Sequence, residues 1–190
     1  MSYLPISGLK MVEEDQATAE VAEIYNDFKR HFQIPIAPNS IKALGISPAV
    51  LATYWDFTRS FYQHITLPES LTSMIFFTIA ETRNCKYCSA NHELTCRSLG
   101  IDEATLAALV KDLGNVSPLR IRAIIEFALK AADHAQELVA EDYDRVREQG
   151  ITDEELVEII HVVAVANYLD TLADASKIEV DPMVAQALGR

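Results

Sequence analysis

At 190 residues, 49% of them hydrophobic, the chain is long enough for one domain that buries a core without disulfide or metal staples. Sixteen Lys and Arg against 28 Asp and Glu give a formal net charge of -12, and no basic cluster reverses it locally, which argues against nucleic-acid and anionic-membrane partners. The opening MSYLPISGLKMVEEDQ lacks the basic-then-apolar order of a signal peptide, and no window holds the ~18 to 20 uninterrupted apolar residues of a membrane span. The expected setting is therefore soluble and cytoplasmic.

Strand signals are almost absent, and helix-start signals recur along the chain, so the expected fold class is all-α, a compact multi-helix bundle. The first predicted helix covers about residues 16 to 32. Gln33 to Asn39, with Pro35 and Pro38, is irregular; it is expected to pack an N-terminal arm (about 1–38) onto a single domain spanning 1–190. Ser47-Pro48 then supplies an N-cap followed by a residue with its φ already set, opening a helix over 48–64. In it Tyr54, Trp55, Phe61 and Tyr62 recur at helical spacing, as core or subunit-interface residues do. Thr66 and Glu69 read as a capping box for a helix over 67–83, in which Met74 to Ala80 is apolar on every side and so belongs in the core or between subunits.

Asn84 reads as the cap of the next helix, 85–99, which is followed by one over 103–112. Ser117-Pro118 opens 118–133, and a helix over 139–149 comes next. A second capping box, Thr152 with Glu155, opens 153–175, and Asp181-Pro182 opens 182–188. Leu99-Gly100-Ile101-Asp102-Glu103 and Gln149-Gly150-Ile151-Thr152-Asp153 echo each other, each being a Gly stop, an apolar residue and a new cap. Two readings fit this echo: a duplicated helical unit, or the generic grammar of short helix connections, with the second favoured.

Three cysteines are too few and too closely spaced for a disulfide framework; a close pair in a reducing compartment is more often catalytic or metal-binding. They fall in Glu81-Thr82-Arg83-Asn84-Cys85-Lys86-Tyr87-Cys88-Ser89-Ala90-Asn91-His92. With Asn84 as cap, Cys85 is expected in the first helical turn, where unpaired backbone N–H groups and the helix dipole favour a thiolate. Cys88 lies on the same face within disulfide reach, and His92 follows at i+4 from Cys88. Such a stripe suits peroxide chemistry. A thiolate attacks the O–O bond, becomes a sulfenic acid, and condenses with the neighbouring thiol to give a disulfide. By position, Cys88 is given the attack because His92 lies one turn away to act as its base, and Cys85 the resolving role because a first-turn thiol is easier for a reductant to reach; the reverse assignment stays open.

Cys85, Cys88, His92 and Cys96 are all zinc-ligand types, but between 85 and 96 a helix rises about 16 Å, too far for one helix to close a site. Only a Cys85–Cys88 half-site completed by His134 or His161 keeps a metal reading alive. Cys96 reads as a small core residue, Tyr87 as a packing residue, His161 as partnered by Glu158, and His31, His64 and His134 as residues of helix ends. Two buried cysteines that happen to stand three apart are the bland alternative; the phase of His92 counts against it.

The pattern Asn84-Cys85-x-Tyr87-Cys88-x-x-x-His92 after a buried helix resembles the alkylhydroperoxidase D and carboxymuconolactone decarboxylase superfamily, in particular its peroxidase-related branch. Pro38 to His92 is similar to the family's leading half, and Arg120 to Asp181, with Ala164-Val165-Ala166-Asn167-Tyr168, to the second half of its longer members. The resemblance implies an AhpD-like all-α fold, a homo-oligomer (dimer or trimer-based), and a Glu twelve residues before the first cysteine that relays protons through the histidine. This chain has Ser73 at that position. The nearest carboxylate is Glu81, which can approach His92 only across a sharp angle between two helices and otherwise reads as a solvated charge at a helix end.

The function expected is thiol-dependent reduction of a small hydroperoxide by Cys85, Cys88 and His92, with Glu81 a weaker candidate. The chemistry calls for no bound metal or organic cofactor, and for an external dithiol reductant of lipoyl or thioredoxin-like type. Two alternatives stand beside it: a redox-sensing or interaction module whose disulfide forms without turnover, and carboxymuconolactone decarboxylase-like lactone chemistry, which needs no Cys-x-x-Cys.

Overall fold

The computed structural model describes residues 9–190; the first eight residues of the expected arm, and of the segment read for a signal peptide, lie outside them. Among the described residues there are ten α-helices and no strand. They are α1 (Ala19–Phe32), α2 (Asn39–Leu44), α3 (Pro48–His64), α4 (Glu69–Thr82), α5 (Lys86–Ser98), α6 (Glu103–Lys111), α7 (Leu119–His134), α8 (Ala140–Arg147), α9 (Asp153–Ser176) and α10 (Pro182–Ala187). The fold class is all-α.

The residues sort into two compact units: one runs to Ile65 and includes Ala173–Asp181, the other comprises Thr66–Leu172 and Pro182–Arg190. The division between them falls at Ile65, after α3. In the first unit Phe28 of α1 meets Trp55 of α3 with ring centroids 5.1 Å apart, and the Trp55 indole donates to Asp27 at 2.7 Å. Tyr54, Trp55 and Phe61 are buried, while Tyr62 is exposed at its edge. The short α2 had no sequence signal, since Pro38 at its cap offers no side-chain acceptor. It is anchored by Asn39, whose backbone N–H donates to Asp181 at 2.8 Å and whose side chain donates to the Glu179 carbonyl.

The second unit is built around α4, where every side chain from Leu71 to Ala80 is buried, as its all-round apolar sequence requires. Helix α5 packs along α4, and α6 and α7 also contact it. The expected capping box at its start does not form. The Thr66 backbone N–H and hydroxyl both donate to Glu158 of α9, as does Leu67 N–H, so a carboxylate distant in sequence replaces Glu69 as partner. The box at Thr152 and Glu155 does form, with both reciprocal bonds present at 2.9 and 3.1 Å. At the start of α7 the cap is Pro118 itself, one residue later than Ser117-Pro118 suggested.

Six of the ten helices, α1, α4, α5, α8, α9 and α10, end in the same closure. Gln33, Asn84, Gly100, Gly150, Lys177 and Gly189 all take positive φ, and in each case the next residue's N–H reaches back to the carbonyl five residues before it, as in Ile101 to Cys96 and Ile151 to Val146. This closure explains the echo at Gly100 and Gly150. It recurs where no sequence echo exists, so the generic reading of that motif is the sufficient one.

By length and composition alone, α9 is the one helix among the described residues long and apolar enough to cross a membrane. Glu158, His161 and Asp170 interrupt it, and Leu156, Ile159, Val162, Val163, Val165 and Ala166 along it are buried in the protein, as in a core helix.

Candidate active site

Helix α4 ends within the second unit, and the way it ends sets the site. Asn84 takes the left-handed conformation with φ 57°, and the Cys85 N–H closes back onto the Ala80 carbonyl at 2.9 Å. Asn is the residue other than Gly that most readily accepts that conformation. Cys85 is therefore the N-cap of α5, and Asn84 belongs to the end of α4. The Cys85 carbonyl accepts the first helical bond, from Ser89 N–H, which leaves Cys88 in the first turn with its side chain on the cap's side of the helix.

The two sulfurs do not stand alone. A carboxylate oxygen of Asp170, from α9, joins them, and the three atoms all lie within 4.8 Å of one another. All three residues are buried, and among the described residues this is the one cluster of three or more metal-capable groups. Cys85, Cys88 and Cys96 are free thiols. Asp170 continues the buried stripe of α9 formed by Ile159, Val162 and Ala166. A charge there needs a partner. Arg83, in the turn before Cys85, provides it: its Nε stands 3.7 Å from Asp170, and its Nη1 donates to Asp133 of α7 at 2.9 Å.

The Cys88 thiol is raised above the ordinary thiol range, first by its hydrogen bond with Cys85, then by burial and by the electrostatic influence of Cys85 and Asp170 beside it. Cys96, also buried, is pushed up to about 12 by desolvation and by Glu93. His92 is half-buried and stacks on Phe76 of α4, the ring centroids 4.7 Å apart and the planes 19° from parallel. Burial lowers its pKa to about 4, so near neutral pH it is an uncharged imidazole. His92 makes no hydrogen bond among the described residues and is not a member of the three-atom cluster.

Glu81 accepts a hydrogen bond from the Ser89 hydroxyl, tying the last turn of α4 to the first turn of α5 beside Cys88. Ser73 is buried on α4. Tyr87 is buried too, its carbonyl accepting from the Asn91 side chain at 2.9 Å. His161 is exposed, and Glu158 is engaged with Thr66 and Leu67.

Sequence reasoning missed Asp170. The available signal was a carboxylate at a core position of an otherwise apolar helix, in phase with Val162 and Ala166.

Several solved structures superpose on nearly the whole chain. An uncharacterized peroxidase-related protein with an alkylhydroperoxidase AhpD core, from Ralstonia eutropha JMP134, has a TM-score of 0.83 at 19% identity, covering 95% of both chains. A peroxidase-related protein from Silicibacter sp. TM1040 has a TM-score of 0.82 at 19% identity, covering 97% of both. The fold is AhpD-like. A third relative in this AhpD-like fold is the debrominase Bmp8, in complex with 2,3,4-tribromopyrrole, with a TM-score of 0.77 at 15% identity over 96% of this chain and 98% of that one. No protein-family model matches the sequence, and no functionally curated protein does either.

Proposed function

We propose that this protein is a thiol-dependent hydroperoxide reductase that cycles between a Cys85, Cys88 dithiol and their disulfide. The observation that carries the reading is the buried cluster of two sulfurs and one carboxylate within 4.8 Å. The AhpD-like fold and its peroxidase-related neighbours support it.

Cys85 is the attacking residue in this reading, reversing the assignment made on sequence position. It caps α5, where the helix dipole favours an anion, and Cys88 is the partner that holds a proton and donates toward it. Asp170 accepts the proton that Cys85 loses, taking the place in the relay that Ser73 leaves without a carboxylate. The Cys85 sulfur attacks the terminal peroxide oxygen, the O–O bond breaks, and the alkoxide takes up a proton and leaves as an alcohol. Cys85 is then a sulfenic acid. The Cys88 sulfur attacks it as the Cys88 proton moves to the departing hydroxide, which leaves as water, and the S–S bond forms. An external dithiol of lipoyl or thioredoxin-like type then takes over the disulfide and restores both thiols, so one hydroperoxide and one dithiol become one alcohol, one water and one disulfide.

His92, neutral and stacked on Phe76, is assigned to shaping the apolar wall beside Cys88, and Glu81, with Ser89, to fixing the α4–α5 corner. No bound organic cofactor is required. The exposed apolar residues Val157, Ile160 and Tyr168, on one face of α9, support a homo-oligomer, and the need for a dithiol donor fits the cytoplasm.

The debrominase that shares the fold favours a second reading, reductive dehalogenation, in which the same dithiol supplies two electrons, a carbon–bromine bond becomes carbon–hydrogen, and bromide leaves. Thiol mapping by mass spectrometry separates the readings. After one equivalent of an alkyl hydroperoxide, the expected product is a Cys85–Cys88 disulfide formed much faster than free cysteine oxidises; disulfide formation with 2,3,4-tribromopyrrole but not with peroxide selects the second reading.

A further inference from the structure

We infer that the reduced site binds one soft divalent cation, Zn²⁺ by preference, through Cys85 Sγ, Cys88 Sγ and an Asp170 carboxylate oxygen. The inference rests on ligand chemistry and placement and stands whether or not peroxide is the substrate. Two thiolates and a carboxylate form a donor set that zinc takes readily, and three protein ligands leave a fourth tetrahedral position for water or an exogenous ligand. The spacing Cys85-x-x-Cys88 puts two sulfurs on one side of a single turn, as zinc half-sites do. One helix cannot close such a site, and the missing ligand comes from α9, whose Asp170 brings an oxygen within 4.8 Å of both sulfurs.

The surroundings suit a cation as well. Three anionic ligands around a dication leave one negative charge, and Arg83 stands 3.7 Å from Asp170 to balance it. Arg83 is itself fixed by Asp133 at 2.9 Å, so this counter-charge is held in place outside the ligand set. Binding replaces the thiol protons: two thiols and one Zn²⁺ give a dithiolate chelate and two protons released. The chelate and the disulfide use the same two sulfurs, so each excludes the other. The metal would protect the pair from oxidation, and oxidation to the disulfide would eject the metal.

The test uses the full chain, reduced and kept anaerobic, titrated with cobalt(II) as a spectroscopic stand-in for zinc. The expected result is one cobalt per chain, with thiolate-to-cobalt charge-transfer absorption and the visible bands of tetrahedral coordination. Zinc should displace the cobalt, and the oxidised protein should show neither feature. Asp170→Asn should weaken binding by more than the ~10 to 100-fold that loss of an outer orienting group costs, and Asp133→Gln should stay within that range. Because Asp170→Asn could fail to fold, zinc-edge X-ray absorption on the wild-type protein provides an independent reading: two sulfurs at about 2.3 Å with oxygen ligands at about 2.0 to 2.2 Å. Absence of charge transfer, a sulfur count other than two, or full affinity in folded Asp170→Asn overturns the inference.

Discussion

Asp170 is the carboxylate placed against both thiols, and the proposed cycle gives it the proton of Cys85. Replacing it with Asn keeps the shape and removes the proton acceptor. Asp170→Asn should lower the rate of peroxide-driven disulfide formation by roughly 10²-fold, the lower end of what a positioned acid–base group contributes. Stopped-flow thiol loss at pH 7 checks this, and an unchanged rate would remove Asp170 from the mechanism. The direction of attack is separable from it. In Cys88→Ser, a sulfenic acid at Cys85 should accumulate and be trapped by a dimedone-type reagent, whereas Cys85→Ser should trap none at residue 88.

His92 has a consequence for stability. Its folded pKa lies near 4, below its ordinary value of 6.5, so below pH 6.5 the unfolded chain takes up a proton that the folded protein refuses. The folded state therefore loses stability as pH falls from about 6.5 toward 4, and this part of the loss should vanish in His92→Gln. Urea unfolding of both proteins at pH 7 and pH 5 measures it, and identical slopes in the two would show that His92 pays no such penalty. The closeness of Cys85 and Cys88 was legible because both lie in one short stretch of sequence, whereas His92 shares the stretch but not the cluster. Asp170 was not legible, since its proximity to the sulfurs depends on how α9 lies against α5, which no local pattern encodes.

At the scale of elements, the site depends on a helix end. Asn84 holds a left-handed conformation so that Cys85 can both close α4 and cap α5. Asn84→Ala should cost about 1 to 2 kcal/mol of stability, and Asn84→Gly much less, because only a Cβ-bearing residue without a compensating side chain is strained there. Thermal unfolding distinguishes the two, and equal losses would show that the conformation is not what matters. The same scale shows where sequence grammar holds. Local signals such as the Thr152 and Glu155 box or Pro48 at the start of α3 were read correctly because both partners lie within one turn. Thr66 was misread because Glu158 arrives from α9 and accepts both from the backbone N–H that the Glu69 carboxylate was expected to serve and from the hydroxyl that was expected to accept from the Glu69 N–H. The cap of α5 slipped by one residue for a related reason: the Asn84-Cys85 junction serves two helices at once, and only the backbone closure onto Ala80 decides which of them owns Asn84.

At the scale of the molecule, the all-α class followed from the absence of alternating patterns and from α4, whose apolar run left no face for solvent. The AhpD-like topology was legible through one motif and the length of apolar helix around it, not through overall sequence, which is 19% identical or less to the neighbours described here. Self-association belongs to this scale. On α9, Val157 is 67% exposed, and Ile160 and Tyr168 follow it at helical spacing. If these residues meet a second copy, the double change Val157→Glu with Ile160→Glu should reduce the assembly to monomer in light scattering while leaving helical content intact; an unchanged mass would place the interface elsewhere.

The most direct test of the central claim is steady-state consumption of an alkyl hydroperoxide by the wild-type protein with dihydrolipoamide as the only reductant. A thiol-dependent reductase should turn over many equivalents of peroxide per chain, one dithiol oxidised for each, with activity lost in either Cys85→Ser or Cys88→Ser. A single stoichiometric oxidation that dihydrolipoamide does not reset, or consumption that survives both substitutions, would contradict it.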